Sequence, residues 1–241
     1  MSEDKKSLIN LVPDSVDNAV KNITDKPTQN IGTTLADIWY LVFGGISEAA
    51  EKRKLKYSYA LQEFEKELKE KINKIPENKL VEPDIQLIAK TLESAKYCVE
   101  KEDLREMFSN LISKSLSSDT NQYVHPIYIN IISQLSSSDA KIIKTIYGMG
   151  QKVYRNISAS ETEDDVYQLL LSISVLEYSG LIESDIHKKI VTFPWIKNQI
   201  IHIHNPSDKE YNGWSDVEEH NRIRIKLTEL GRLFCATCID N

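Results

Sequence analysis

Two pairs of metal-competent side chains stand out first. His202-Ile203-His204 would place two imidazoles on one side of a strand, because alternate residues share a face, and Cys235-x-x-Cys238 would place two thiols near one face of a helix. Four such ligands can hold a tetrahedral Zn²⁺ at bond lengths of about 2.0–2.3 Å. A plainer reading competes. Free cysteines of a closing helix are small buried hydrophobes, and the histidines sit in a polar insert with no tight turn of the kind that presents paired zinc ligands. No cofactor or metal is therefore expected, and His202, His204, Cys235 and Cys238 are the one set that would hold zinc. His125-Pro126 invites a catalytic reading, but Pro126 suits the start of a helix, with His125 near its N-cap. Arg105, Glu106 and Asn110 fall on a helix with an apolar face. There Arg105 is expected to pair with Glu102 or Asp103 in a modest surface or subunit contact.

The usual catalytic signatures are missing from the sequence. There is no glycine-rich phosphate loop, no His-Glu-x-x-His and no serine in a nucleophile elbow. The Arg-x(4–6)-His spacing of many toxin RNases is absent after Arg53, Arg105, Arg155 and Arg222. A non-enzymatic protein is expected.

The elements that must position any site follow from composition and periodicity. The 241 residues are 41% hydrophobic and 27% charged with 8 Gly and 7 Pro, the make-up of a globular chain that can bury one large core or two modest ones. Three cysteines argue against a disulfide framework. Met1-Ser2-Glu3-Asp4-Lys5-Lys6 leads into no long apolar run, so neither a secretory signal nor a membrane span is expected, and the cytoplasm is the expected location.

Residues 1–30, with Pro13 and Pro27, read as a loose arm. Residues 31–135 read as a helical region, a bundle that includes a long amphipathic helix over 47–74. On that helix Tyr57, Leu61, Phe64, Leu68 and Ile72 step by four or three in a narrow seam, suited to packing along another helix of the same chain or of a second copy. Ile85, Ile88, Leu92, Ala95 and Val99 mark a core helix, and Leu104, Met107, Phe108, Leu111 and Ile112 another. Residues 136–241 read as a winged-helix-like α+β domain. Ser136 to Asp139 cap a helix, Gly180 ends the next, strands run over 188–193 and 222–227, and a helix closes the chain. The fold class is mainly α, with this smaller mixed domain at the end.

Charge weighs against the partner a winged helix first suggests. Thirty Lys and Arg against 36 Asp and Glu give a net charge of −6, and both 1–135 and 136–241 hold more acid than base. The helix at 165–179, in the recognition position, carries Asp165 and Glu177 and no Lys or Arg. A nucleic-acid partner is not expected; Arg222 and Arg224, with Lys226, would be its contact residues as a basic wing. Residues 31–46 are the most apolar stretch, read first as a core helix. The competing reading is a peripheral helix at the inner membrane that uses Trp39, Tyr40 and Phe43, with Lys52, Arg53, Lys54 and Lys56 near anionic head groups.

Five blocks carry a family resemblance. Asn78-Lys79-Leu80-Val81-Glu82-Pro83, Leu104-Arg105-Glu106-Met107-Phe108-Ser109-Asn110-Leu111, Val124-His125-Pro126 and Gln134-Leu135-Ser136 resemble successive blocks of the abortive-infection alpha family. Leu227-Thr228-Glu229-Leu230-Gly231-Arg232-Leu233-Phe234 is similar to that family's C-terminal block, and the blocks together span about two thirds of the chain. The resemblance implies a bacterial defence protein that protects a population from phage because infected cells stop growing or die. It supplies no catalytic residues. The expected mode of action is contact with protein, by self-association or with a partner. A membrane-perturbing effector and a DNA-binding regulator are the alternatives.

Overall fold

The computed structural model describes residues 29–44, 51–149, 152–156, 163–185 and 222–240. Of the expected arm at 1–30, residues 1–28 lie outside the described residues while Gln29 and Asn30 already belong to a helix, and the expected strand at 188–193 lies outside them too. The chain is mainly helical, with a small sheet, and its contacts divide it into two units. Met1–Ala140 with Phe234–Asn241 form one, and Lys141–Leu233 the other.

The first unit holds α1 (Gln29–Phe43), α2 (Glu51–Asn73), α3 (Ile85–Ala95), α4 (Glu102–Ser115) and α5 (Ile127–Gln134). Helix α4 is its centre, packed against α2, α3 and α5, and ten of its fourteen residues are buried. Leu104, Met107, Phe108, Leu111 and Ile112 supply the apolar part of that burial, as their spacing predicts. Ser109, Ser113 and Ser115 are buried beside them because each hydroxyl donates to the carbonyl three residues back, so no polar group is left bare. Helix α1 packs on α3, and Trp39 meets the rings of Phe43 and Phe64 at 4.6 Å and 5.5 Å between centroids. At the start of α3, Asp84 is the N-cap, accepting from the Gln86 and Leu87 amides at 2.9 Å and 3.1 Å.

Helix α6 (Ser137–Gly148) opens with a reciprocal capping box. The Ser136 amide donates to the Asp139 carboxylate at 2.7 Å, and the Asp139 amide donates to the Ser136 hydroxyl at 3.2 Å.

The second unit is built on β1 (Lys152–Asn156), α7 (Glu163–Tyr178), β2 (Ile182–Ser184) and β3 (Arg222–Leu227). The three strands form an antiparallel sheet in the order β1-β3-β2. Helix α7 ends where the sequence places the stop. Gly180 takes φ +72°, the Leu181 amide bonds the Leu176 carbonyl at 3.0 Å, and the Gly180 amide bonds the Glu177 carbonyl at 2.8 Å. This is a Schellman closure with buried Leu176 and Leu181 as its apolar pair. In β3, Ile225 and Leu227 are buried while Lys226 between them is exposed. The last helix, α8 (Glu229–Cys238), is capped by Thr228, whose hydroxyl accepts the Gly231 amide at 2.9 Å and donates to the Gly180 carbonyl at 2.5 Å. Gly231 is required at its position, because a Cβ there would lie 1.9 Å from the Leu181 carbonyl oxygen.

Candidate functional site

The densest polar chemistry inside the helical unit sits where α2, α4 and the end of α8 meet. Arg105 is 9% exposed, and its Nε and Nη2 both donate to Oε1 of Glu67, at 3.0 Å and 2.7 Å. Its Nη1 donates to the Val99 carbonyl at 3.3 Å. The partner is thus a carboxylate 38 residues upstream on the neighbouring helix, not Glu102 or Asp103. The pair is buried enough that removing one member would strand the other. The other carboxylate oxygen, Oε2 of Glu67, is buried without a hydrogen-bond partner.

One turn on, Asn110 is 1% exposed and joins three elements. Its Oδ1 accepts from the Lys71 ammonium on α2. Its Nδ2 donates to the Cys238 carbonyl at 2.9 Å and to the Ile239 carbonyl at 3.5 Å, taking up carbonyls that the end of α8 leaves without helical partners. Four residues of two helices therefore form a ladder, Glu67–Arg105 and Lys71–Asn110. Glu67 and Lys71 are one helical turn apart on α2, which is why both rungs fit. The sequence reading placed Arg105 and Asn110 on one helix but missed the ladder, since nothing local marks Glu67 and Lys71 as their partners.

The other sequence-predicted residues are placed as follows. In the seam, Phe64 and Leu68 are buried against the same chain, and Tyr57, Leu61 and Ile72 are half-buried. The partner of α2 is α4 of its own unit, and Phe64 and Leu68 are used in that packing. The Tyr57 hydroxyl donates to the Lys96 carbonyl at 3.2 Å, and burial, then Glu100 and Tyr97, push its pKa up to about 12. A cavity of about 20 Å³ beside α2, touching Trp39, Glu65, Leu68 and Ile72, has room for about one water molecule and for no substrate.

The membrane reading is corrected at two of its three residues. Trp39 and Phe43 are 6% and 1% exposed, inside the core, and only Tyr40 of that set faces out. Among the described residues no helix is long and apolar enough to cross a membrane.

Of the zinc set, His202 and His204 lie outside the described residues. Cys235 and Cys238 are fully buried, and burial is the largest cause of raised thiol pKa values, Cys235 to about 12 and Cys238 well above the ordinary range. Buried protonated thiols behave as small hydrophobes, as the plainer reading has it. Among the described residues no group of three or more His, Cys, Asp or Glu is arranged to hold a metal. Arg222 and Arg224 occupy alternate positions of β3. The sequence did not show β1, a five-residue strand with too little apolar alternation to be seen.

His125 takes a capping role. Its Nδ1 accepts the Ile127 amide at 3.1 Å at the start of α5.

A family model described as abortive infection alpha matches residues 56–238. No curated protein and no solved structure matches the chain.

Proposed function

We propose that this chain, which belongs to the abortive infection alpha family, acts in the cytoplasm against phage by abortive infection, without catalysing a reaction and through protein contacts. One observation carries the non-enzymatic part. Several polar residues of the family-like blocks are engaged in building the fold. Arg105 holds Glu67, Asn110 holds Lys71 and the end of α8, and His125 caps α5. Ser136 and Asp139 cap α6, and Thr228 caps α8. Groups used in this way are not the poised acids, bases and nucleophiles that a reaction needs.

The contact surface we assign is the outer face of α7, in a unit we read as winged-helix-like from its helix–strand order and its antiparallel β1-β3-β2 sheet. Leu171 and Tyr178 are 58% and 88% exposed, and exposed Tyr167, Gln168 and Ser174 share their face. None of the five is charged. The occupant is a second copy, because an uncharged face lets two chains of net charge −6 meet with no like charges opposed. One helix face is a small interface, in the range of a weak, concentration-dependent dimer.

The test is a phage challenge at low and high multiplicity of infection across Asn110→Ala, His125→Ala, Ser136→Ala and Leu171→Asp/Tyr178→Asp. Protection at low multiplicity with culture collapse at high multiplicity is expected of the native chain. The three single variants are expected to lose protection only in step with their melting temperatures. The α7 variant is expected to stay folded, lose self-association in light scattering, and lose protection. A single variant that lost protection at full stability would mark a chemical role and sink the non-enzymatic reading.

A further inference from the structure

From Thr120 to Ser138 the chain carries no Asp, Glu, Lys or Arg, although 27% of its residues are charged and 19 residues at that rate would hold about five. Helix α5 lies within this stretch. Tyr128, Ile129, Ile131 and Ile132 are its buried side. Ile127, Asn130, Ser133 and Gln134 are exposed, spaced by three or four residues and so on one outer face. Among the described residues, α5 and α7 are the two helices whose exposed side chains carry no charge. The others show Asp37 on α1, Lys66 on α2, Lys90 on α3, Glu102 on α4, Lys141 on α6 and Glu229 on α8.

The inner side of α5 holds that outer face in place. The His125 Nδ1 accepts the Ile127 amide at 3.1 Å and fixes the first turn. The Tyr128 ring stands edge-on to Phe234 at 5.6 Å and to His125 at 6.4 Å between centroids. A face set in advance loses little freedom when it is covered.

We infer that the outer face of α5 is a second self-contact, so that one chain joins two others, one through α7 and one through α5. The α7 half of this rests on the contact proposed above; α5 is a separate surface with its own argument. Its occupant is a second copy because the chemistry of the face is self-complementary. In a two-fold contact, residues near the axis meet their own copies. A carboxylate or an ammonium is repelled by its copy, whereas the carboxamides of Asn130 and Gln134 each hold donors and an acceptor and pair with their own kind. Ile127, 40% exposed, supplies an apolar part. Depletion of charge is also the mark of the buried centre of a protein interface. Helix α5 has 8 residues to the 16 of α7 and one exposed aliphatic side chain, so its contact is the weaker. Dimers form through α7, and α5 joins dimers to one another as concentration rises. Each dimer keeps two free α5 faces, so assembly extends beyond two copies.

The test is sedimentation velocity of the full chain over a range of concentrations, with thermal unfolding of each variant beside it. The native chain is expected to pass from dimer to larger species. Asn130→Glu/Gln134→Glu and Asn130→Lys/Gln134→Lys change exposed positions and are each expected to keep the melting temperature and stop at the dimer. The dissociation constant for the step beyond the dimer should rise roughly tenfold or more, because like charges then oppose across the contact. An equimolar mixture of the two variants is expected to recover the larger species, since glutamate then faces lysine, a rescue that a folding defect would not show. Leu171→Asp/Tyr178→Asp is expected to stay monomeric where the native chain is dimeric. Glutamate and lysine variants that assemble as the native chain does, or a mixture that stays at the dimer, would overturn the inference and leave the α7 contact standing. Monomeric α5 variants beside an α7 variant that assembles like the native chain would keep the α5 contact and end the α7 reading. A native chain that is monomeric throughout would end both.

Discussion

Basic side chains occur in both units under opposite conditions. Arg105 of the helical unit is buried, with its guanidinium held by Glu67 and the Val99 carbonyl. Lys226 of the sheet unit is exposed between buried Ile225 and Leu227, and pairs with exposed Glu183 at 2.7 Å. The difference lies in what each architecture offers a charge. A helix surrounded by three others can meet a carboxylate from one neighbour and a free carbonyl from a turn, so a guanidinium can be buried with partners. A three-stranded sheet has one apolar face, and charge must go to the other. A basic side chain thus helps to hold the helical unit together in one place and stands in water in the other.

The largest effect that separates the two is the loss of one basic side chain from each. Arg105→Ala leaves the Glu67 carboxylate in a mostly buried position, with side chains of the pair 10% and 24% exposed, and is expected to cost about 3 kcal/mol, the low end for a broken buried pair. Lys226→Ala is expected to change stability by less than about 0.5 kcal/mol, as surface substitutions do. Urea unfolding of both variants checks this. Equal, small effects would break the contrast.

Next in size is a backbone effect that belongs to the sheet unit. Gly231→Ala must displace the Leu181 carbonyl or the start of α8, since its Cβ would overlap that oxygen. A cost of about 1–3 kcal/mol is expected, of the order found for overpacking. A variant as stable as the parent in thermal unfolding would show that this joint yields more easily than a helix–helix contact.

These two positions also show what the sequence made legible. Gly180 as a helix stop, Ser136–Asp139 as a cap and the alternation in β3 are local signals, and each appears where its spacing places it. The core face of α4 was legible too, through its apolar residues. Its centrality was not, because half of its ten buried residues are polar or charged and only their bonds make them buriable. The Glu67–Arg105 and Lys71–Asn110 rungs span 38 and 39 residues, and no periodicity reports a partner at that distance. Trp39 and Phe43 could have faced lipid or core on composition alone; the rings of Phe64 and of each other decide it. β1 and β2 are too short to announce themselves.

A smaller contrast appears at alkaline pH. The described groups whose pKa is raised, Tyr57, Cys98, Tyr128, Cys235 and Cys238, all belong to the helical unit, and burial is the largest cause in each. A raised pKa means that the folded state holds its proton more tightly than the unfolded chain does. The associated stability is complete below the ordinary thiol value of 9 and is lost as pH rises toward about 12 for Cys235, with Tyr57 contributing between 10 and about 12. Chemical denaturation at pH 8, 9.5 and 10.5 should show a declining stability that Cys235→Ala flattens. An unchanged pH slope in that variant would mean that the thiol is not held from solvent.

The smallest expected effect is at α7. Leu171→Asp/Tyr178→Asp replaces side chains that are already mostly in water, so monomer stability should stay within about 0.5 kcal/mol of the parent. The same pair of changes puts two carboxylates on each copy at the centre of the proposed contact, where like charges would oppose one another across it. Self-association should therefore fall sharply with no change in folding, the reverse of Arg105→Ala, which should lower stability and leave α7 untouched. Sedimentation velocity beside thermal unfolding reads both quantities. If the α7 variant instead unfolds at a lower temperature while the oligomeric state stays the same, its outer face is part of the fold and not a contact surface.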